Sequence, residues 1–284
     1  MADASPTIRQ RELGMRLREY RTNLGLTVEE VAQKLLCSAT KVSRAETGAR
    51  RPSLRDVRDL CEIYGLDQET TAELMALARE ARQSGWWTQY DDLKVHFPFI
   101  GLEQDATAIT CFAMYFVPAF LQTANYARAI IKGIVPKIDP DVLDQRVAAR
   151  MRRQELLYKT NAPIYRVLLD EAVLHRQVGG LTVMRAQLAK MTDLVNEKRA
   201  TIQIIPFAAG AYAAADSNFD YLEFGGSALP DLVYVEGLAR DLYLDRRHDV
   251  ERYSETIEYM RDTALSPGDS VKKIQNISDR YAAQ

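Results

Sequence analysis

The side chains best suited to chemistry in this chain form a short row of hydroxyl and cationic groups between positions 38 and 51. Arginine can donate paired hydrogen bonds to guanine, hydroxyls bond to several bases, and a methyl group can contact thymine. Lysine and arginine also pair with backbone phosphates. The row comprises Ser38, Ala39, Thr40, Lys41, Ser43, Arg44, Arg50 and Arg51, with Thr27 upstream of it. Such a row favours recognition of double-stranded DNA over bond cleavage.

The local charge supports the same interpretation. From Lys34 to Arg58 the chain holds seven lysines and arginines against two acidic residues, a net charge of +5 within a protein of net charge −2. Phosphate contact is the ordinary use of such an excess. Residues 85–284 carry a net charge of −3, so we expect DNA to dock at one segment rather than along the whole chain.

A helix, a tight turn and a second helix are predicted to position this row. Thr27 and Glu30 have the spacing of a capping box, and apolar residues then recur at helical spacing. Ser38 can cap a second short helix that ends at Gly48. The inward positions of this helix are Ala39, Val42 and Ala45, and the outward ones are Thr40, Lys41, Ser43 and Arg44. Such a helix fits a DNA major groove, although two packed helices with a polar face are also common in helical domains.

Three further helices complete the predicted first domain, which spans residues 9–83. Leu13, Leu17 and Tyr20 form the apolar stripe of a helix before the pair, whereas residues 1–8 are expected to be disordered. Ser53 and Asp67 are the expected caps of two helices after it. The prediction is therefore a compact all-α domain of five helices.

Residues 9–65 resemble the helix-turn-helix of the phage-repressor-like XRE family. The matching elements are Arg21 before Leu24-Gly25-Leu26, the helix from Thr27 to Leu35, Val42-Ser43-Arg44, Glu46 and Gly48, and Arg51-Pro52-Ser53. The resemblance implies an ion pair between Arg21 and Glu46 that ties the first helix to the end of the reading helix.

The base-reading positions of that family fall on Val28, Ala39, Thr40 and Arg44. Val28 and Ala39 depart from the glutamine often found there, which puts amide readout of adenine in doubt. The base contacts that remain are one from Arg44 to guanine, one from the hydroxyl of Thr40 or Ser43 to a base, and one from Ala39 to a thymine methyl.

The second predicted domain, residues 84–284, is α/β (α+β) with about five short strands. A helix is expected over residues 103–131, broken at Val117-Pro118, because the segment is apolar on nearly all sides. Alternating or β-branched runs predict strands at residues 164–169, 201–206, 218–224, 231–235 and 240–245. The four arginines at 146, 150, 152 and 153 are interpreted as a solvated helix face, with an acidic partner as the alternative.

Aromatic residues cluster where the two predicted domains meet. A ligand or partner pocket could be lined by Trp86, Trp87, Tyr90, Phe116, Phe120, Gln122 and Tyr126. Adjacent tryptophans cannot both face one core if the segment is regular, so one is expected to pack on a second surface. The favoured alternative is a packing plug at the domain junction.

This second region resembles the DUF5753 domain, through short blocks at residues 85–87, 100–103, 117–123, 170–174, 178–180, 205–210, 234–237 and 264–266. Where the family usually has Gly and Leu, this chain has Ala119 and Phe120. The resemblance implies an antitoxin-like transcription regulator of streptomycetes and related actinobacteria. It also implies a possible partner, a small DUF397-type or BldB-like protein.

Residues typical of an enzyme are sparse. The three histidines, His96, His175 and His248, lack metal-ligand spacing, so we expect no metal and no cofactor. Asp170-Glu171 follows a predicted strand, where α/β active sites occur, but a helix cap is the favoured interpretation. An enzyme would need perturbed carboxylates near Asp170 or Glu236. The three cysteines are far apart and read as reduced, buried residues.

The sequence therefore predicts a sequence-specific DNA-binding transcription regulator, not an enzyme. We expect it to be cytoplasmic and nucleoid-associated when bound to DNA, because no apolar run is long enough to cross a membrane and no signal peptide is evident. We expect a homodimer whose C-terminal domain senses a partner protein or a small-molecule effector of unknown identity. The alternative is an antitoxin-like interaction protein that neutralises a small partner and uses DNA binding for autoregulation.

Overall fold

The computed structural model describes residues 6–90, 97–225, 229–237 and 241–283 of the chain. Contacts divide them into two compact units. The first unit takes in the residues up to 89 together with 97–105, and the second takes in Tyr90 and the residues from 106 onward. The helical unit is therefore longer than the predicted segment 9–83, and the domain boundary at 83/84 stays a prediction.

The first unit is all-α, as predicted. Its helices are α1 (Pro6–Asn23), α2 (Val28–Lys34), α3 (Ala39–Glu46), α4 (Leu54–Ile63), α5 (Gln68–Glu80) and α6 (Phe97–Glu103), with a 3₁₀ turn at Trp86–Gln89. The first five correspond to the five predicted helices. The helix α1 starts earlier than expected, because Ile8 is buried and extends the apolar face of the helix.

The core of this unit lies between α1, α2, α4 and α5. Leu17, Val31, Val57 and Leu74 are each fully buried there. Burial of one such side chain contributes about 1.5–3 kcal/mol. The helix-turn-helix pair is therefore held on a packed base formed by the other helices.

The second unit is built on a mixed sheet. Its helices are α7 (Ala124–Ile134), α8 (Pro140–Gln154), α9 (Ala172–His175), α10 (Leu181–Asn196), α11 (Arg247–Thr263) and α12 (Pro267–Ala282). Its strands are β1 (Ala108–Ala113), β2 (Ile164–Asp170), β3 (Thr201–Ile205), β4 (Phe219–Glu223), β5 (Leu232–Val235) and β6 (Leu242–Leu244). The strand order is β3-β2-β1-β4-β5-β6. The strands β1, β2 and β3 run parallel, and β4, β5 and β6 continue the sheet in antiparallel pairs.

The predicted helix over residues 103–117 is wrong, because its centre is strand β1. All six residues of β1 are buried, and the strand pairs with β2 on one side and β4 on the other. A short run that is apolar on both faces suits a central strand as well as a buried helix. The other five strands lie where the sequence predicts them, so the described sheet has six strands rather than about five.

Both faces of the sheet are covered. Alternate side chains such as Phe112 and Leu168 form a core with Ile257 and Met260 of α11. On α10, Met184, Leu188 and Met191 are completely buried. The outer edge of β3 is closed by the start of α12, since the Ile204 N–H donates to Ser270 Oγ (2.9 Å) and the Leu265 N–H donates to Ile204 O (2.8 Å).

Candidate nucleic-acid interface

Helix α3 presents one polar face to solvent. Its inner face buries Val42, Ala45 and Glu46. Ser38 caps it, since Ser38 Oγ accepts a hydrogen bond from the Lys41 N–H (3.2 Å). The residues left exposed on its outer face are Thr40, Ser43 and Arg44, while the exposed Thr47 follows the end of the helix and donates to the carbonyl of Ser43 (3.0 Å). Thr40, Ser43 and Arg44 of the predicted row are therefore exposed, and their contact with DNA stays a prediction.

The ion pair that fixes this helix is present as predicted. The Arg21 guanidinium donates to both carboxylate oxygens of Glu46, from Nε at 2.6 Å and from Nη2 at 2.9 Å. Its Nη1 donates to the carbonyl of Leu26 (2.8 Å), so Arg21 also holds the loop before α2. Both side chains of the pair are largely buried, and the Glu46 hydrogen bond raises the pKa of Arg21. A forked pair of this kind fixes orientation as well as position.

Close packing between α1 and α3 depends on a glycine. A Cβ added at Gly14 would lie 2.6 Å from the carbonyl oxygen of Ala45 and 2.7 Å from that of Glu46. The absence of a side chain at Gly14 thus lets the end of α3 rest directly on α1.

Lys41 does not point outward as predicted. Its ammonium lies 2.7 Å from Asp56 Oδ1, and both side chains are mostly buried. Asp56 also closes the capping box of α4, where it accepts from the Ser53 N–H (3.1 Å) while its own N–H donates to Ser53 Oγ (2.9 Å). Lys41 therefore joins α3 to α4. The spacing of Ser53 and Asp56 indicates the capping box of α4, but it does not indicate the pairing of Asp56 with Lys41.

The loop after α3 adds exposed cations. Arg50 and Arg51 are both exposed, and Arg51 Nε donates to Gln10 Oε1 (3.2 Å). Gln10 Nε2 in turn donates to the carbonyl of Gly48 (2.6 Å), which fixes the loop against α1. Gly48 adopts φ +69°, a conformation that favours glycine. The loop is held in one position while its two guanidinium groups remain at the surface.

The other predicted reading residues have local roles. The Thr27 hydroxyl accepts from the Glu30 N–H (3.2 Å) and donates to the Glu30 carboxylate (2.9 Å), so it is occupied by the capping box. Val28 and Ala39 are half-buried and pack against the core of the helical unit. Their availability to bases is lower than the sequence suggests.

The residues of the predicted aromatic pocket belong to two different units. Trp86 and Trp87 lie in the helical unit, with their rings edge to face at 5.9 Å, and Trp87 is buried. Tyr90 is half-buried and is assigned to the second unit. Trp87 packs beside Gly85 and Gly101, which agrees with a packing role for this ring.

In the second unit the remaining pocket residues are packed. Phe120 lies edge to face with Tyr165 at 5.2 Å, and the guanidinium of Arg153 lies 5.6 Å from the Phe120 ring centre. Tyr126 is completely buried, and its hydroxyl accepts from the Val117 N–H (3.1 Å). Phe116 is half-buried, and the guanidinium of Arg176 lies 5.8 Å from the centre of its ring. Gln122 is also buried, and its polar atoms are bonded to neighbours within the unit.

The carboxylates at the end of β2 are fully engaged. Asp170 accepts from the Ala172 N–H (2.7 Å) and from the Tyr212 hydroxyl (2.5 Å). Glu171 pairs with Lys273 (2.7 Å) and accepts from the Phe207 N–H (2.9 Å). Glu171 also lies 3.3 Å from the Nε2 of His175. This arrangement ties β2, the loop after β3 and α12 together.

The described part of the chain contains no group of three His, Cys, Asp or Glu side chains that could hold a metal ion, although His96 lies outside the described residues. No described helix is long and apolar enough to cross a membrane.

The exposed polar face of α3, held on four packed helices, is the arrangement of a helix-turn-helix DNA-binding domain. Residues 12–74 match the model of a helix-turn-helix domain. Residues 98–276, more than half of the chain, match the model described as Domain of unknown function (DUF5753). The chain therefore belongs to the DUF5753 family, and membership of the XRE family stays a prediction.

One similar solved structure is the clp gene regulator ClgR from C. glutamicum. Its identity to this chain is 23%, the match covers 27% of this chain and 96% of that one, and the TM-score is 0.22. Among curated proteins, none matches this chain.

Proposed function

We propose that the protein is a transcription regulator that binds specific DNA sequences by inserting α3 into a major groove. The observation that carries this proposal is the division of α3 into a buried apolar face and an exposed face of Thr40, Ser43 and Arg44. A helix of this width, with hydroxyl and guanidinium donors outward, has the chemistry of direct base readout.

The exposed residues take different roles in this proposal. Arg44 is exposed and makes no side-chain hydrogen bond within the described residues, so its guanidinium is available to guanine O6 and N7. Thr40 and Ser43 supply hydroxyl contacts. Arg50 and Arg51 contact phosphates beside the groove. The oxygen of Ser38 already caps α3, so Ser38 contributes its O–H as a donor to the DNA backbone.

The rest of the chain would supply assembly and control. One reading helix covers only a few base pairs, so we propose a homodimer that places two copies of α3 about one helical turn, ~34 Å, apart on the DNA. The second unit would provide the dimer contacts and sense a partner protein or a small molecule. A protein with this role acts in the cytoplasm, at the nucleoid when bound.

Selection of bound sequences from random duplex DNA tests this proposal. We expect one enriched motif made of two inverted half-sites whose centres are about 10 base pairs apart. An enriched single half-site would retain DNA reading and reject the dimer. Recovery of no motif at 150 mM salt would reject sequence-specific binding.

An antitoxin-like interaction protein is the second candidate. The observation that favours it is a pair of exposed aromatic side chains, Tyr115 after β1 and Phe207 after β3, which are 49% and 59% exposed. Both follow parallel strands, so they lie at the same edge of the sheet. Co-expression with a small protein encoded by a neighbouring gene should give a stable complex, and Phe207→Ala should weaken it. Separate elution of the two proteins would reject this candidate.

A further inference from the structure

Four polar side chains meet inside the second unit, between α8, α10 and the short 3₁₀ turn at Ala119–Leu121. Gln122 and Gln154 are buried. Arg150 Nη1 donates to Gln122 Oε1 (3.1 Å). Lys190 Nζ donates to the carbonyl of Gln122 (2.7 Å) and to Gln154 Oε1 (2.5 Å). We call Arg150, Lys190, Gln122 and Gln154 the cation cluster.

Within the described residues, the two cations of this cluster donate to neutral oxygens. In this described part of the chain, neither Arg150 nor Lys190 forms an ion pair with a carboxylate, and the hydrogen bonds of both go to glutamine oxygens. The carboxylate whose charge acts on Arg150 is that of Glu236, an exposed residue after β5 that forms no ion pair with it. Arg146 and Arg153, on the same helix as Arg150, add further positive charge. Among its four side chains the cluster thus holds two cations and no carboxylate.

Such an arrangement is costly without an anion. Burial and the like charge of Arg153 lower the pKa of Arg150 to about 10, and burial lowers the pKa of Lys190. Buried charges in proteins are ordinarily paired with an opposite charge. The sequence interpretation of α8 as a solvated arginine face is therefore wrong for Arg150, which reaches Gln122 across the fold.

Hydrogen-bonding capacity remains on both cations. An ammonium has three N–H donors and a guanidinium has five. Lys190 uses two of its donors within the cluster, and Arg150 uses one. Both side chains are half-buried, so each keeps part of its surface exposed. Gln122 holds both cations, and its two oxygens face one cation each.

We propose that the cation cluster is a binding site for a small anionic ligand, recognised through a phosphate or carboxylate group by Arg150 and Lys190. The guanidinium supplies the planar fork that matches either oxyanion, and the ammonium supplies a point charge beside it. Gln122 and Gln154 hold the two cations apart and in place. The site goes beyond DNA binding, and its test contains no DNA, so failure of the proposed function would leave it standing.

Calorimetry with the full-length protein tests the site, with inorganic phosphate and succinate as the probes. The variants are Arg150→Gln and Lys190→Gln, and the matched control is Arg185→Gln, which removes an exposed cation from the same helix as Lys190. We expect saturable binding of at least one probe to the wild type and to the control, and an affinity at least tenfold weaker in both cluster variants. Equal affinity in all four proteins, or no saturable binding of either probe, would overturn the proposal.

A second measurement uses only the wild-type protein, in case a cluster variant fails to fold. Acetic anhydride modifies free lysine amines, and mass spectrometry reports each site. The bound probe should slow modification of Lys190 at least threefold and leave that of the exposed Lys132 on α7 unchanged. Equal modification of Lys190 with and without either probe would overturn the proposal.

Discussion

Arg21 on α1 and Glu46 at the end of α3 meet through two parallel hydrogen bonds of 2.6 and 2.9 Å, although 25 positions separate them in sequence. The pair is 11% and 5% exposed at its side chains, so water competes weakly for it. The ion pair ties α3 to α1, which is the longest helix of the unit. The orientation of α3 relative to α1 is therefore fixed by an ion pair as well as by apolar packing.

Glu46→Gln should destabilise the helical unit. The substitution leaves a buried guanidinium without its opposite charge, and breaking a buried pair in this way costs about 3 kcal/mol. Both tryptophans belong to this unit, so urea unfolding followed by tryptophan fluorescence reports on it. Glu19→Gln, at an exposed position of α1, should change the free energy of unfolding by less than about 0.5 kcal/mol. Equal stability of the two variants would show that the pair contributes little.

Gly14→Ala should also destabilise the unit, because the new methyl group would meet the backbone carbonyls of Ala45 and Glu46. We expect a loss of about 2 kcal/mol in the free energy of unfolding. Gly133→Ala on α7 is the matched control, since a Cβ there has no neighbour within 4 Å. Alanine is the better helix former, so this control should be neutral or stabilising by about 0.5–1 kcal/mol. The same sign for both variants in thermal unfolding would refute the close α1–α3 contact.

Much of this architecture can be predicted from the sequence, because helix caps depend on residues that are close together in the chain. Ser38, Ser53 and Asp67 cap the helices expected of them, and these caps depend on residues only three positions away. The sequence does not predict strand β1, because its neighbours β2 and β4 are distant in sequence and only their pairing distinguishes it from a buried helix. Lys41 bonds to Asp56 and Arg150 bonds to Gln122, and these partners are also too distant in sequence for local rules to predict the contacts.

Lys41→Ala and Arg50→Ala should differ in their effect on DNA binding. Arg50 is exposed, so its removal should weaken binding to all sequences and reduce the slope of log affinity against log salt by about 1. Lys41 is already paired with Asp56, so its removal should change stability more than the salt slope. Fluorescence anisotropy with one labelled duplex at four salt concentrations measures both slopes. A larger change of slope for Lys41→Ala would mean that Lys41 leaves Asp56 to contact phosphate.

Acid should destabilise the second unit through Glu171. Burial opposes ionisation of this carboxyl, but hydrogen bonds from Lys273, the Phe207 N–H and His175 outweigh it, so the pKa of Glu171 is lowered below 4.5. A carboxyl with a lowered native pKa stabilises the fold above its unfolded pKa, and this stability is lost as the pH falls through the native pKa. Urea unfolding followed by circular dichroism between pH 6 and pH 3 should show a smaller loss for Glu171→Gln than for the wild type.

Glu255→Gln, at an exposed position of α11, is the control for that comparison and should follow the wild-type pH profile. If Glu171→Gln follows it as well, the contacts of Glu171 do not govern the acid stability of this unit.

In the proposed complex with DNA, Arg44 reads a base from the exposed face of α3. The most direct measurement is the ratio of affinities for the selected operator and for a random duplex, in the wild type, in Arg44→Ala and in the control Arg79→Ala on α5. A bidentate arginine contact contributes about 1–3 kcal/mol of discrimination, so Arg44→Ala should reduce the ratio about tenfold or more, and Arg79→Ala should leave it unchanged. An unchanged ratio in Arg44→Ala would contradict the assignment of α3 as the reading helix.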